Sequence, residues 1–182
     1  MEALAEAGEV AVALEQVLEA RERRAARQAG ALARFGWPIV SMTVVMPGPI
    51  KDGRLPRRLL SEALCALEGV AARRAWPVLV RETLWQETGP EALYIVGAPA
   101  ELLKAATIEL EDRHPLGRLW DLDVIAPGEP ALSRRAFGCP SRRCLMCERP
   151  AFECARSRAH PLPELLEALR RTVDEHDLHR KS

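Results

Sequence analysis

The chain has 182 residues, 48% of them hydrophobic and 29% charged, which is long enough to build one sizeable core and too apolar for a disordered tail. Its 26 basic and 26 acidic residues cancel. That balance excludes a global field drawing the protein onto nucleic acid or an anionic membrane, so any anion-binding surface must be local. Acids interrupt the apolar positions between Met1 and Gln28, unlike the h-region of a signal peptide, and no apolar run reaches membrane-spanning length. The expected location is the cytoplasm, where the five cysteines would be metal ligands or reduced thiols.

In chain order, residues 9 to 35 read as a helix, with Val10, Leu14, Val17 and Leu18 at helical spacing and the charged run Arg21 to Arg24 as a solvated face. Trp37-Pro38 breaks it. Ile39 to Met46 is a β-branched apolar run ended by Pro47-Gly48-Pro49, a buried strand entering a turn, and the loop then supplies Lys51. From Leu55 to Arg74 the residues Leu59, Leu60, Ala63, Leu67 and Val70 form one helical stripe, with Cys65 beside it as a small core residue.

Val78 to Trp85 and Leu93 to Val96 read as strands joined through Glu87-Thr88-Gly89-Pro90 into a hairpin. A helix over Pro99 to Asp112 follows, buried through Leu102, Leu103, Ala106 and Leu110. Then come a strand over Leu119 to Ile125, an irregular Cys/His segment over residues 136–161, and a terminal helix over residues 162–178. The order predicts an α+β fold in one domain over residues 1–182: a mixed, largely antiparallel sheet covered by helices, with an irregular Cys-bearing C-terminal segment.

The most chemically loaded segment runs from His114 to Val124. On a strand, Asp121 and Asp123 share one face about 7 Å apart, while Trp120, Leu122 and Val124 face the core. Two carboxylates beside Arg118 suit Mg²⁺ with phosphate ligands. Two solvated aspartates would give the same pattern. His114 precedes a proline and reads as a turn cap rather than a catalytic group.

Further on, Cys144, Cys147, Cys154 and His160 offer three thiols and an imidazole in a short window, with Cys139 as an alternative fourth ligand. Such a set would close a tetrahedral structural Zn²⁺ site and leave no open position for catalysis. Reduced cysteines packed under the last helix are the competing reading. Arg142, Arg143, Arg149, Arg156 and Arg158 surround them, to offset thiolate charge or to meet an acidic partner.

Three stretches resemble the family of apo-citrate lyase phosphoribosyl-dephospho-CoA transferases, the citrate lyase holo-acyl-carrier-protein synthases. They are Val44 to Asp52, the long run from Thr107 through His114-Pro115-Leu116-Gly117-Arg118-Leu119-Trp120-Asp121-Leu122-Asp123-Val124 to Ser133-Arg134-Arg135, and Arg142-Arg143-Cys144-Leu145-Met146-Cys147-Glu148. The likeness extends from about residue 10 to 170.

The resemblance implies a nucleotidyltransferase-like protein that moves the prosthetic group from 2′-(5″-triphosphoribosyl)-3′-dephospho-CoA to a serine of the citrate lyase acyl carrier protein, with pyrophosphate leaving. Asp121 and Asp123 resemble the Mg²⁺-binding carboxylates of nucleotidyltransferases, with one of them available as the proton acceptor. Arg118, Lys51, Arg134 and Arg135 then become candidates for phosphate oxygens, although Arg134 and Arg135 also read as a solvated pair. The acyl carrier protein of malonate decarboxylase is the competing acceptor. A non-catalytic zinc-knuckle module binding nucleic acid is the competing class; the neutral charge and 4% aromatics count against it.

Overall fold

The computed structural model describes residues 10–180. The first nine residues, with the expected helix start at residue 9, and the last two lie outside it. Helix α1 (Leu14–Phe35) therefore begins later than periodicity suggests. The residues before it are extended, because Val12 donates to the Pro49 carbonyl at 3.0 Å and Ala11 bridges Ile50. The Gln16 side chain then accepts from the Ala13 N–H at 2.7 Å, satisfying one backbone donor at the helix start. At the other end Gly36 adopts φ 64°, a left-handed stop suited to glycine.

After α1 come β1 (Ile39–Val44), α2 (Arg54–Arg73), β2 (Val78–Leu84), β3 (Glu91–Val96), α3 (Ala100–Arg113), β4 (Trp120–Ile125), α4 (Ala151–Ser157) and α5 (Leu162–Arg180). The sheet order is β2-β3-β1-β4, and all three pairings are antiparallel. Strands β1 and β2 still run in the same direction, one strand apart. The parallel component expected of a mixed sheet is thus present in direction and absent from hydrogen bonding. Each β-α-β crossing skips one strand, giving the split arrangement of ferredoxin-like folds.

One face of the sheet carries Val40, Met42, Tyr94, Val96, Leu122 and Val124, packed with Leu59, Leu60, Ala63 and Leu67 of α2, Leu103 of α3, and Leu169 and Val173 of α5. The other face is covered by α1, with an apolar contact where Ala31, Leu32 and Phe35 meet Ile39, Leu93 and Ile95 and polar contacts of Gln28, Arg24 and Arg27 with Ser41 and Glu91. The register continues that second face into Ser41, Thr43, Asp121 and Asp123, a polar floor rather than a core.

Several placements differ from the sequence reading, among them Leu14 and Leu18 of α1, which are exposed rather than part of a buried stripe. Cys65 is exposed because it lies two residues from both Ala63 and Leu67, about 200° around the helix from each. Leu102 is exposed as well; α3 instead turns Leu103, Ala106, Lys104, Thr107 and Glu111 inward. Within the segment expected to be irregular, residues 151–157 form α4. No helix among the described residues is long and apolar enough to cross a membrane.

Candidate functional site

Strand β4 lies at an edge of the sheet and alternates buried and exposed residues from Trp120 to Val124. Asp121 and Asp123 accordingly project from the partly uncovered face, opposite Thr43 and Ser41 of β1. Ser41 is buried, and its hydroxyl accepts a 2.8 Å bond from Gln28 of α1. Asp123 keeps an exposed surface, but partial desolvation by its packed neighbours, then the Asp121 charge, push its carboxyl above the usual carboxylate range; Lys104, Arg24 and Arg142 pull the other way.

The outward backbone groups of β4 would be unpaired at a sheet edge. Here α3 satisfies those of Leu122, whose N–H donates to Glu111 at 2.9 Å and whose carbonyl accepts from Lys104 Nζ at 3.2 Å, while the Val124 carbonyl accepts from the Leu132 N–H at 2.8 Å. Glu111 and Lys104 are both buried. Burial raises the Glu111 carboxyl, opposed by Arg142, the Leu122 N–H and Lys104. Arg142 ties this layer to the floor, with Nη1 at 3.6 Å from Glu111 and 3.5 Å from Asp121. Its Nη2 donates to the Gly117 and Arg118 carbonyls at 3.3 and 3.1 Å.

The turn entering β4 is set by Gly117. A Cβ there would stand 2.2 Å from the Leu110 carbonyl oxygen and 2.7 Å from that of Glu111, so the chain can pass α3 this closely only without a side chain. His114 serves the same turn, its Nδ1 accepting from the Leu116 N–H at 3.1 Å.

Of the cationic residues singled out from sequence, Arg118 is half-buried, and burial, then Arg142 and Arg134, lower its pKa. Arg134 is engaged by Asp112 at 2.7 Å and lies 3.8 Å from Glu111. Arg135 is exposed and donates to Ser141 at 3.2 Å. Lys51 donates to the Met46 carbonyl at 2.5 Å, and burial, then Arg21, lower its pKa.

Sequence reasoning missed Glu111, Lys104, Arg142 and Arg24 as members of this assembly. A signal existed for the first two: Lys104, Thr107 and Glu111 fall at helical spacing, a polar stripe that the structure buries. Arg24, within the run read as a solvated face, instead reaches Glu91 at 3.3 Å, with Arg27 pairing the same buried carboxylate.

At the other end of Arg142, Cys144, Cys147, Cys154 and His160 converge, their ligand atoms all within 4.8 Å of one another. Cys139 stays apart, its thiol directed to the Phe137 carbonyl. The Arg149 N–H and side chain hold the Cys147 thiol down to about 6, while burial and the neighbouring thiols push Cys154 up to about 11.

Fold and floor together define an α+β protein with paired carboxylates and arginines on the open end of an antiparallel sheet. The family model described as apo-citrate lyase phosphoribosyl-dephospho-CoA transferase matches residues 12–176. The chain is 50% identical over 156 residues to the protein of that name from Citrobacter koseri, covering 86% of this chain and 85% of the relative. It is 47% identical over 167 residues to the one from Escherichia coli O7:K1, covering 90% and 91%. The chain belongs to this family of transferases.

Proposed function

We propose that the protein transfers the phosphoribosyl-dephospho-CoA group from 2′-(5″-triphosphoribosyl)-3′-dephospho-CoA to a serine of the citrate lyase acyl carrier protein, the γ subunit, in the cytoplasm. The observation that carries the reading is the Asp121 and Asp123 pair on the open face of β4, with Arg142 against Asp121, in a chain matched to this family over residues 12–176.

In the reaction, the serine Oγ bonds to the α-phosphorus of the triphosphate. The bond from that phosphorus to the bridging oxygen breaks, and pyrophosphate leaves with the electron pair. One of the two aspartates accepts the serine proton. Two hard oxygen donors on one strand face, Asp121 and Asp123, fit Mg²⁺. Bound there, Mg²⁺ would supply charge neutralisation to the triphosphate.

Arg118, half-buried in the turn that enters β4, is the first candidate phosphate ligand among the four cations. Lys51, Arg134 and Arg135 would join it by exchanging their present partners for phosphate oxygens.

The test is a mass spectrum of apo acyl carrier protein incubated with this protein, Mg²⁺ and the triphosphoribosyl donor. The expected result is a gain of one phosphoribosyl-dephospho-CoA group that EDTA abolishes. An unmodified citrate lyase carrier would overturn the proposal, and modification of the malonate decarboxylase carrier instead would identify that protein as the acceptor.

A further inference from the structure

We propose that Cys144, Cys147, Cys154 and His160 form a closed tetrahedral zinc site whose role is to hold Arg142 against Asp121. In a tetrahedral site with Zn–S near 2.3 Å and Zn–N near 2.0–2.1 Å, neighbouring sulfurs stand about 3.8 Å apart and sulfur and nitrogen about 3.6 Å apart. Cys147 Sγ lies 3.6 Å from Cys154 Sγ and 3.4 Å from His160 Nε2, which matches two edges of such a cage within a few tenths of an ångström, and all four ligand atoms lie within 4.8 Å of one another. The ligands come from three places in the fold: the loop carrying Cys144 and Cys147, α4 with Cys154, and the turn before α5 with His160.

Between residues 133 and 161 Cys154 is the one buried residue, so this stretch has little apolar core of its own to stabilise it. Metal ligation offers the missing stabilisation, as in other small segments that cannot bury enough surface. Each of the three thiols gives its proton to solvent on binding, leaving the centre with one net negative charge. The Arg149 guanidinium, beside Cys147 and Cys154, offsets it.

The connection to the floor is direct. Cys144 N–H donates to the Arg149 carbonyl at 2.7 Å, and Ala151 N–H to the Arg142 carbonyl at 2.8 Å. Residues 142–151 are thus closed on themselves with Cys144 and Cys147 inside the loop, and Arg142 leaves its base toward Gly117, Arg118 and Asp121. Four ligands leave no open coordination position, so the role is positional.

The experiment is elemental analysis of the full chain, purified reduced and without chelator. The expected content is about one zinc per chain, falling below about a tenth in Cys147→Ser and Cys154→Ser. Replacement by Co²⁺ should give the intense visible bands of a tetrahedral thiolate centre, a readout on the wild-type chain should the variants fail to fold. Less than about a tenth of an equivalent after reconstitution with zinc, or a six-coordinate cobalt spectrum, would overturn the site.

For the positioning role, removal of zinc should accelerate hydrogen exchange at the Cys144 and Ala151 amides and leave β3 protected. Unchanged protection at both would overturn it. Neither measurement involves the transfer reaction, so a failure here is distinguishable from a failure of the proposed activity.

Discussion

The carboxylate of Glu111 accepts the backbone N–H of Leu122 at 2.9 Å, so a buried acid on α3 caps the edge strand at the residue between Asp121 and Asp123. The same carboxylate faces Arg142 and Arg134. Removing it would orphan a buried donor and take one carboxylate from two guanidiniums, which would keep Asp112, Asp121 and backbone carbonyls as partners. Glu111→Ala should therefore cost about 3 kcal/mol in urea unfolding, and Glu111→Gln, which keeps an acceptor, about half that. A change within about 0.5 kcal/mol for the alanine variant would mean that the cap contributes little.

Gly117 is held by close approach rather than by an unusual dihedral. Because an added Cβ would meet the Leu110 and Glu111 carbonyls at 2.2 and 2.7 Å, Gly117→Ala must displace the entry to β4 or the end of α3. The expected loss is about 2 kcal/mol or more. Guanidinium denaturation measures it, and wild-type stability in the variant would show that the turn has slack.

Asp121→Asn and Asp123→Asn should each slow transfer by at least about 100-fold, since each removes one charge from the proposed Mg²⁺ and proton-accepting pair. Stability should stay within about 0.5 kcal/mol of wild type or rise, because the neighbouring carboxylates repel. Near-normal single-turnover rates in either variant would exclude that aspartate from the reaction.

His114 stacks at 4.4 Å from Trp120 and 5.6 Å from His176. Burial, then His176, lower its pKa from 6.5, and Glu62 opposes them. The unfolded chain therefore binds this proton at a higher pH than the folded chain does. The stabilisation associated with neutral His114 is complete above about pH 7 and is lost as pH falls below the unfolded value toward the lower folded one. His114→Asn, which can still accept from the Leu116 N–H, should show a shallower decline in melting temperature between about pH 7 and pH 5. Parallel declines would assign the loss to other groups.

Local chemistry made much of the protein legible before its fold was known. Periodicity marked all the longer helices and the four strands, because an amphipathic stripe or an alternating run is written in consecutive residues. Alternation around Leu122 alone put Asp121 and Asp123 on one face, and the short window holding Cys144, Cys147, Cys154 and His160 singled out four side chains that the fold brings together. Sequence likewise carried the family, through the long run around His114 to Val124.

Tertiary structure decided the rest, because the deciding partners are far apart in the chain. That Cys65 and Leu102 face solvent depends on which side of α2 and α3 meets the sheet. That Arg24 leaves the solvated face depends on Glu91, 67 positions away. The roles of Glu111 and Lys104 follow from β4 lying at the sheet edge, where the backbone groups of Leu122 are met by side chains of the neighbouring helix.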